Sequence, residues 1–169
     1  AEGARLILTA RTVGGLEEVD DEIQAIGGHA TLIPADLMKM EQIDQMGGAI
    51  YARFRRLDIL VGNAATLGTL SPVAHVTPSV WDEVITLNAT VNYRLIRSFD
   101  PLLQQSEAGR AIFVTSSVAQ ESIPYWGPYA VGKAALEALV RTYAGEVAKT
   151  NVRANLIDPG SVRTVLRAE

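Results

Sequence analysis

Short, nearly continuous apolar runs alternate along the chain with longer stretches in which apolar residues return every three or four positions. The short runs are Leu6-Ile7-Leu8-Thr9, Ala30-Thr31-Leu32-Ile33-Pro34, Asp58-Ile59-Leu60-Val61, Arg110 to Thr115 and Val152 to Ile157. Runs of this kind read as strands covered on both faces, as in parallel sheets. Between them, Leu16, Val19, Ile23 and Ile26 recur at helical spacing, and Gly27-Gly28 ends that helix. Ile43, Met46, Ile50 and Phe54 mark a second helix, weakened by Gly47-Gly48 in its middle. Thr77-Pro78 supplies an N-cap with proline at the first helical position. The helix it opens is expected to run through Trp81, Val84, Ile85 and Leu95 to about Phe99, ahead of Pro101. A last helix, from Pro128 to about Lys149, buries Leu136, Leu139, Val140, Tyr143 and Val147.

Strands alternating with helices of this length predict an α/β fold, a doubly wound parallel sheet in three layers joined by right-handed crossovers. Ligands of such sheets bind beyond the carboxyl ends of the strands. The length, 169 residues, suits a single domain. Hydrophobic residues make up 48% and charged residues 20%, a globular rather than a disordered balance. A net charge of −4 argues against a nucleic-acid surface. The absence of cysteine excludes disulfides and thiolate metal sites, and His29 and His75 have no partners at metal-ligand spacing. No apolar run approaches the roughly 20 residues that span a bilayer, and no signal peptide opens the chain, so a cytoplasmic location is the expectation.

The candidate chemistry lies between Ser116 and Lys133. Ser116 follows the apolar run ending at Thr115 and precedes Tyr129 by thirteen residues. In a helix starting near Pro128, Tyr129 and Lys133 share a face one turn apart. A free phenol ionises near about 10, too high for efficient proton exchange at neutral pH. An ammonium one turn away favours the phenolate and is expected to lower that value, making a general acid/base. A serine hydroxyl at the adjacent strand end supplies a hydrogen bond to a substrate oxygen.

With these residues in this order, the chain resembles the short-chain dehydrogenase/reductase family, in its single-domain branch, over nearly all of its length. The resemblance implies a Rossmann-like fold and hydride transfer between NAD(P)(H) and a small-molecule carbonyl or secondary alcohol. It implies Tyr129 as proton exchanger, Lys133 as its electrostatic partner and binder of the nicotinamide ribose, and Ser116, rather than Ser117, as the substrate-oxygen donor. The phrase Trp81-Asp82-Glu83-Val84-Ile85-Thr86-Leu87-Asn88 is similar to the family's fourth helix, where the asparagine anchors a water linking the lysine to solvent. Gly62-Asn63-Ala64-Ala65 is similar to the family's Asn-Asn-Ala-Gly, with Gly62 and Ala65 as departures; Asn63 and Ala64 match positions that brace the central strands and pass the adenine ribose.

Asp36-Leu37 matches the acidic position that meets the adenine amino group, although an aspartate there equally suits a cap for the next helix. Ala10 stands where NAD-preferring relatives carry aspartate, and Arg11 suits a 2′-phosphate, so NADP(H) is preferred with NAD(H) possible; a solvated surface arginine is the competing account. Pro159-Gly160, with Val162 and Thr164 beyond it, resembles the turn that holds the nicotinamide carboxamide. Trp126 is a candidate for the substrate pocket wall.

Two segments of the family pattern are not found, the opening strand with its glycine-rich turn and the C-terminal substrate-binding helices with the last strand. The chain therefore reads as an internal fragment, with a strand-wide gap expected between Leu6–Thr9 and Asp58–Val61, poor stability and weak NADP(H) binding. A homo-oligomer is expected at full length, because family members dimerise through the helices bearing Asn88 and Tyr129. The alternatives are an inactive, assembly-only domain of the same fold, and a sugar-nucleotide epimerase or dehydratase, whose chains are longer and fit Gly62–Ala65 and Pro159-Gly160 less well.

Overall fold

The computed structural model describes residues 3–160. Val162 and Thr164 lie outside the described residues. Among the described residues, five strands and five α-helices follow one another. Strand β1 (Leu6–Ala10) leads through helix α1 (Val13–Ala25) to β2 (Ala30–Pro34), and the two strands pair in parallel with Leu6 opposite Ala30 and Ala10 opposite Pro34. Helix α2 (Met40–Phe54) crosses to β3 (Ile59–Gly62), running uninterrupted through Gly47-Gly48. Helices α3 (Pro78–Ile85) and α4 (Val91–Leu103) lead to β4 (Arg110–Val114), and α5 (Gly127–Glu146) leads to β5 (Arg153–Ile157). Strands β3, β4 and β5 form a second parallel set in that order.

The expected gap is present: β1 and β3 do not pair, and the sheet is split into a two-stranded and a three-stranded part. A cleft of about 1830 Å³ separates them, with Leu6 to Thr9 on one wall and Ile59 to Val61 on the other. Leu37, Met46, Ile50, Leu95 and Phe99 also line it. Ile59 and Val61 are each more than half exposed for this reason.

The core lies where α2, α4 and α5 press on the three-stranded part. Ile43, Met46 and Ile50 of α2 meet Val91, Leu95, Phe99 and Leu103 of α4, and Leu136, Val140 and Tyr143 of α5 close over Ala111 and Phe113. Residues repeating every three or four positions on each helix supply these faces. Helix α1 departs from its sequence pattern, since of its apolar residues Leu16 alone is buried while Val19 and Ile26 are exposed. It packs chiefly on β1 and β2, which are too narrow a surface to cover its whole stripe.

The long helix predicted from Thr77 to Phe99 also differs. Its start holds, with the Thr77 hydroxyl accepting the Val80 N–H at 3.4 Å. Its middle, Thr86–Thr90, is a π-turn in which the Val91 N–H donates to the Thr86 carbonyl five residues back. Its end overruns Pro101, which lies inside α4. A proline in a helix interior costs about 3 kcal/mol. Leu102 and Leu103, 3% and 0% exposed, each recover about 2 kcal/mol by burial, so the helix continues until they are inside.

Candidate active site

Among the described residues, those singled out for chemistry follow the carboxyl ends of strands or lie on the helices that pack beside them. Arg11 follows β1, Asp36 follows β2, Asn63 follows β3, Ser116 follows β4 and Pro159-Gly160 follow β5. Chain direction alone arranges this, because all the strand pairs are parallel.

Tyr129 lies in the first turn of α5, where Pro128 sets the helical backbone at a position with no internal hydrogen bond to lose. It is buried, and the Trp126 ring packs edge-on against it with centroids 5.9 Å apart. The Ser116 hydroxyl is the side chain that favours its phenolate form. Ser116 is half-buried and extended, whereas Ser117 is exposed at the start of the following 3-10 turn. Lys133 is 2% exposed, and its ammonium donates to the Val114 carbonyl at 2.7 Å while standing 5.7 Å from the Tyr129 ring centroid.

The electrostatics differ from the expectation that Lys133 lowers the tyrosine. Burial raises the Tyr129 phenol above its ordinary value, the Ser116 hydroxyl opposes that rise, and the nearby Asp158 carboxylate adds to it. Burial likewise pushes the Lys133 ammonium down to about 8. Both shifts have one cause, the removal of water from a charged form. The resting pair is therefore a neutral phenol beside an ammonium that is still mostly protonated at neutral pH.

Asn88 is fully buried within the π-turn. Its side chain donates to the Thr66 carbonyl and accepts the Thr66 N–H, both at 2.9 Å, and its own carbonyl accepts the Asn92 side-chain amide at 2.9 Å. Its side chain is thus committed to the loop after β3. Gly132, between Tyr129 and Lys133, lets α5 approach this turn, because a Cβ there would stand 3.0 Å from the Asn88 Cβ. Thr66 was not singled out in the sequence, and nothing in its local pattern marks it as the partner of a residue 22 positions away.

A second group lies along the cleft between β1 and β3, whose lining includes Arg11, Asp36, Leu37, Asn63 and Ala64. The cleft does not extend to Ser116, Tyr129 or Lys133. Arg11 and Asn63 are exposed, while Leu37 is 8% exposed and belongs to the core. One Asp36 carboxylate oxygen accepts the Met38 N–H at 3.0 Å, and the Asp36 N–H donates to the Gln42 side chain at 2.7 Å. Asp36 therefore braces the turn before α2, whose N-cap position is Lys39. Gly62, a departure from the family pattern, is enforced locally, since a Cβ there would come 2.4 Å from the Phe113 ring and 2.6 Å from the Asn92 side chain.

The third group is the turn after β5. Gly160 adopts φ +69, in the left-handed region that favours glycine, and its N–H donates to Asp158 at 2.8 Å. Among the described residues, no group of three or more His, Asp or Glu is placed to hold a metal, and no helix is long and apolar enough to cross a membrane.

Comparison with known proteins identifies the family and the fold. The family model for short chain dehydrogenases matches residues 1–169. The uncharacterized oxidoreductase YciK of Escherichia coli (strain K12) is 33% identical, over 98% of this chain and 67% of its own length. A short chain dehydrogenase structure from Pseudomonas syringae superposes with a TM-score of 0.95 at 35% identity, covering 99% of this chain and 70% of that one. One from Shigella flexneri 2a str. 301, complexed with NADP, superposes with a TM-score of 0.92 at 32% identity, covering 98% and 70%. The chain spans about two thirds of the length of YciK and as little as 58% of other curated relatives that it matches.

Proposed function

The chain belongs to the short-chain dehydrogenase/reductase family, and from that premise we propose that it interconverts a carbonyl and a secondary alcohol with NADP(H), as part of one dinucleotide-binding and catalytic domain. The observation that carries the proposal is the burial of Tyr129 and Lys133 together against the Ser116 segment at the carboxyl edge of the sheet.

The residues present fit the cofactor. Arg11 is exposed at the carboxyl end of β1, where its guanidinium would make paired bonds to a 2′-phosphate. Asp36 and Leu37 follow the carboxyl end of β2, Asn63 and Ala64 follow that of β3, and these residues would take the adenosine part. Lys133 and the Pro159-Gly160 turn would hold the nicotinamide end, with Val162 and Thr164 assigned there by the family pattern. NADP(H), when bound, supplies or accepts the hydride; NAD(H) lacks the phosphate that Arg11 would meet.

The chain's own residues handle the proton. In reduction, the neutral Tyr129 phenol, favoured by burial, gives its proton to the substrate oxygen. Ser116 holds that oxygen through its hydroxyl. Lys133 then faces the phenolate that forms, and its proton, loosened by a value pushed down to about 8, is available to restore the phenol. Asn88 fixes the π-turn behind α5 by its two bonds to Thr66, and the family pattern assigns to it the water that links Lys133 to solvent in the proton relay. A homo-oligomer built on α4 and α5 is part of the proposal; Tyr93 and Val131, about half exposed, are available on those helices.

The test is turnover of the complete polypeptide, followed as NADPH consumption with a panel of ketones and aldehydes and in reverse with secondary alcohols. Arg11→Ala is expected to weaken NADP(H) at least tenfold, about 1.4 kcal/mol, and to leave NAD(H) nearly unchanged. Equal losses for both cofactors would defeat the 2′-phosphate argument. No turnover of any carbonyl or alcohol by protein that binds NADP(H) would defeat the oxidoreductase reading.

A further inference from the structure

Glu137 is a buried carboxylate for which the chemistry above has no task. It lies on α5 four residues after Lys133 and eight after Tyr129, and is 5% exposed. A carboxylate withdrawn from water must be fully hydrogen-bonded to persist. Glu137 Oε1 accepts the Thr115 hydroxyl at 2.9 Å. Its Oε2 accepts the Gln120 side-chain amide at 3.2 Å and the Arg141 guanidinium at 2.6 Å.

The identity of these partners matters. Thr115 immediately precedes Ser116, and its N–H is tied to the Ile157 carbonyl of β5 at 2.9 Å. Gln120 immediately follows the 3-10 turn Ser117–Ala119. That turn is closed by the Ala119 N–H on the Ser116 carbonyl at 3.0 Å and the Gln120 N–H on the Ser117 carbonyl at 2.9 Å. One carboxylate, on the helix that carries Tyr129 and Lys133, therefore grips both ends of the short segment that carries Ser116. Arg141, on the exposed side, supplies the balancing charge.

From this geometry we propose that Glu137 is a positioning residue, setting the placement of the Ser116 hydroxyl against the Tyr129 phenol. The inference deepens the functional reading above and rests on it for the catalytic consequence, but not for the geometry. A side chain that only neutralised Arg141 would leave Thr115 and Gln120 indifferent to it. Loss of positioning on the scale of 1 Å costs a reaction about a hundredfold, so a partial loss is expected to be felt in turnover.

The experiment uses two variants with different exposure to misfolding. Glu137→Gln keeps an oxygen for Thr115 but turns an amide NH2 toward the Gln120 and Arg141 donors. Thr115→Val is nearly isosteric and removes only the front contact. In protein carrying 13Cζ-tyrosine, the Tyr129 resonance is followed by NMR. Because the Ser116 hydroxyl favours the phenolate, its displacement is expected to move the Tyr129 titration upward in both variants. The Lys133, Asp158 and Trp126 neighbours are common to all the proteins compared. In catalytically active protein, kcat is expected to fall about tenfold with KM for NADPH unchanged.

Folded variants whose Tyr129 resonance and titration match the wild type would overturn the proposal; should Glu137→Gln fail to fold, Thr115→Val alone decides. A moved Tyr129 titration in a chain without turnover upholds the positioning and counts against the functional reading instead.

Discussion

The Lys133 ammonium donates to the Val114 carbonyl at 2.7 Å, the last residue of β4, and this contact ties the helix of the candidate acid/base to the strand that leads to Ser116. Burial at that place pushes the ammonium down to about 8 from an ordinary 10.5. The unfolded chain then holds the proton more tightly than the folded one. The cost of burying the charge is fully present below about pH 8 and is relieved as pH rises toward 10.5. Resistance to denaturant is expected to gain about 1 kcal/mol from this group between about pH 7.5 and about pH 9. Lys133→Met is expected to lack that gain. Tyr129 and Tyr143, both raised above 10, begin to cost stability only above that pH and do not disturb the comparison.

The contact of α5 with the π-turn gives a steric prediction. Gly132→Ala would place a methyl group 3.0 Å from the Asn88 Cβ, which cannot swing away because the Asn88 side chain is held twice by Thr66. Alanine is favoured over glycine in a helix by about 1 kcal/mol. Overpacking of a tight contact costs about 1 to 3 kcal/mol, so the net effect is expected to be a loss of stability. Gly48→Ala, where the added Cβ meets nothing within 4 Å, is the matched control and is expected to stabilise. Urea midpoints for the two variants decide the sign.

Asp44 gives a prediction in acid. It joins α2 to α4 by accepting the Ser98 hydroxyl at 2.5 Å and the Arg94 Nε at 3.0 Å, with a second Arg94 nitrogen on its other oxygen. The Ser98 hydrogen bond, followed by Arg94, holds its carboxyl below the ordinary 3.8. The stability it contributes is present above that ordinary value and is lost as pH falls through the lower folded one. Asp44→Asn is expected to flatten the acid limb of the stability curve and leave the neutral plateau lower. Added salt is expected to weaken the wild-type advantage, since the pair is exposed.

The strands and helices were legible because each carries its own pattern of apolar residues, and the order of site residues followed from parallel strands. Four features were not legible, for separate physical reasons. The π-turn at Asn88 is a change of hydrogen-bond register, which leaves the residue types of the helix unaltered. The continuation of α4 through Pro101 was decided by the burial of Leu102 and Leu103, a tertiary gain that no local rule contains. The exposure of Val19 and Ile26 reflects how narrow a surface α1 has to pack on. The raised Tyr129 phenol reflects burial, which outweighs the opposing Ser116 hydroxyl, while the Lys133 ammonium is committed to the Val114 carbonyl. Glu137 did leave a trace, an acid set between Leu136 and Val140 on the buried stripe of α5, which signals a carboxylate with inward partners.

The most direct measurement of the central claim is single-turnover hydride transfer by Tyr129→Phe, in the complete polypeptide, beside NADPH affinity measured by fluorescence titration. The change removes one hydroxyl and preserves the ring that packs on Trp126. The hydride step is expected to slow by about 100-fold or more, the contribution of a positioned proton donor, with NADPH affinity changed less than about threefold. Hydride transfer at the wild-type rate in folded Tyr129→Phe protein would contradict the assignment of the proton to this tyrosine.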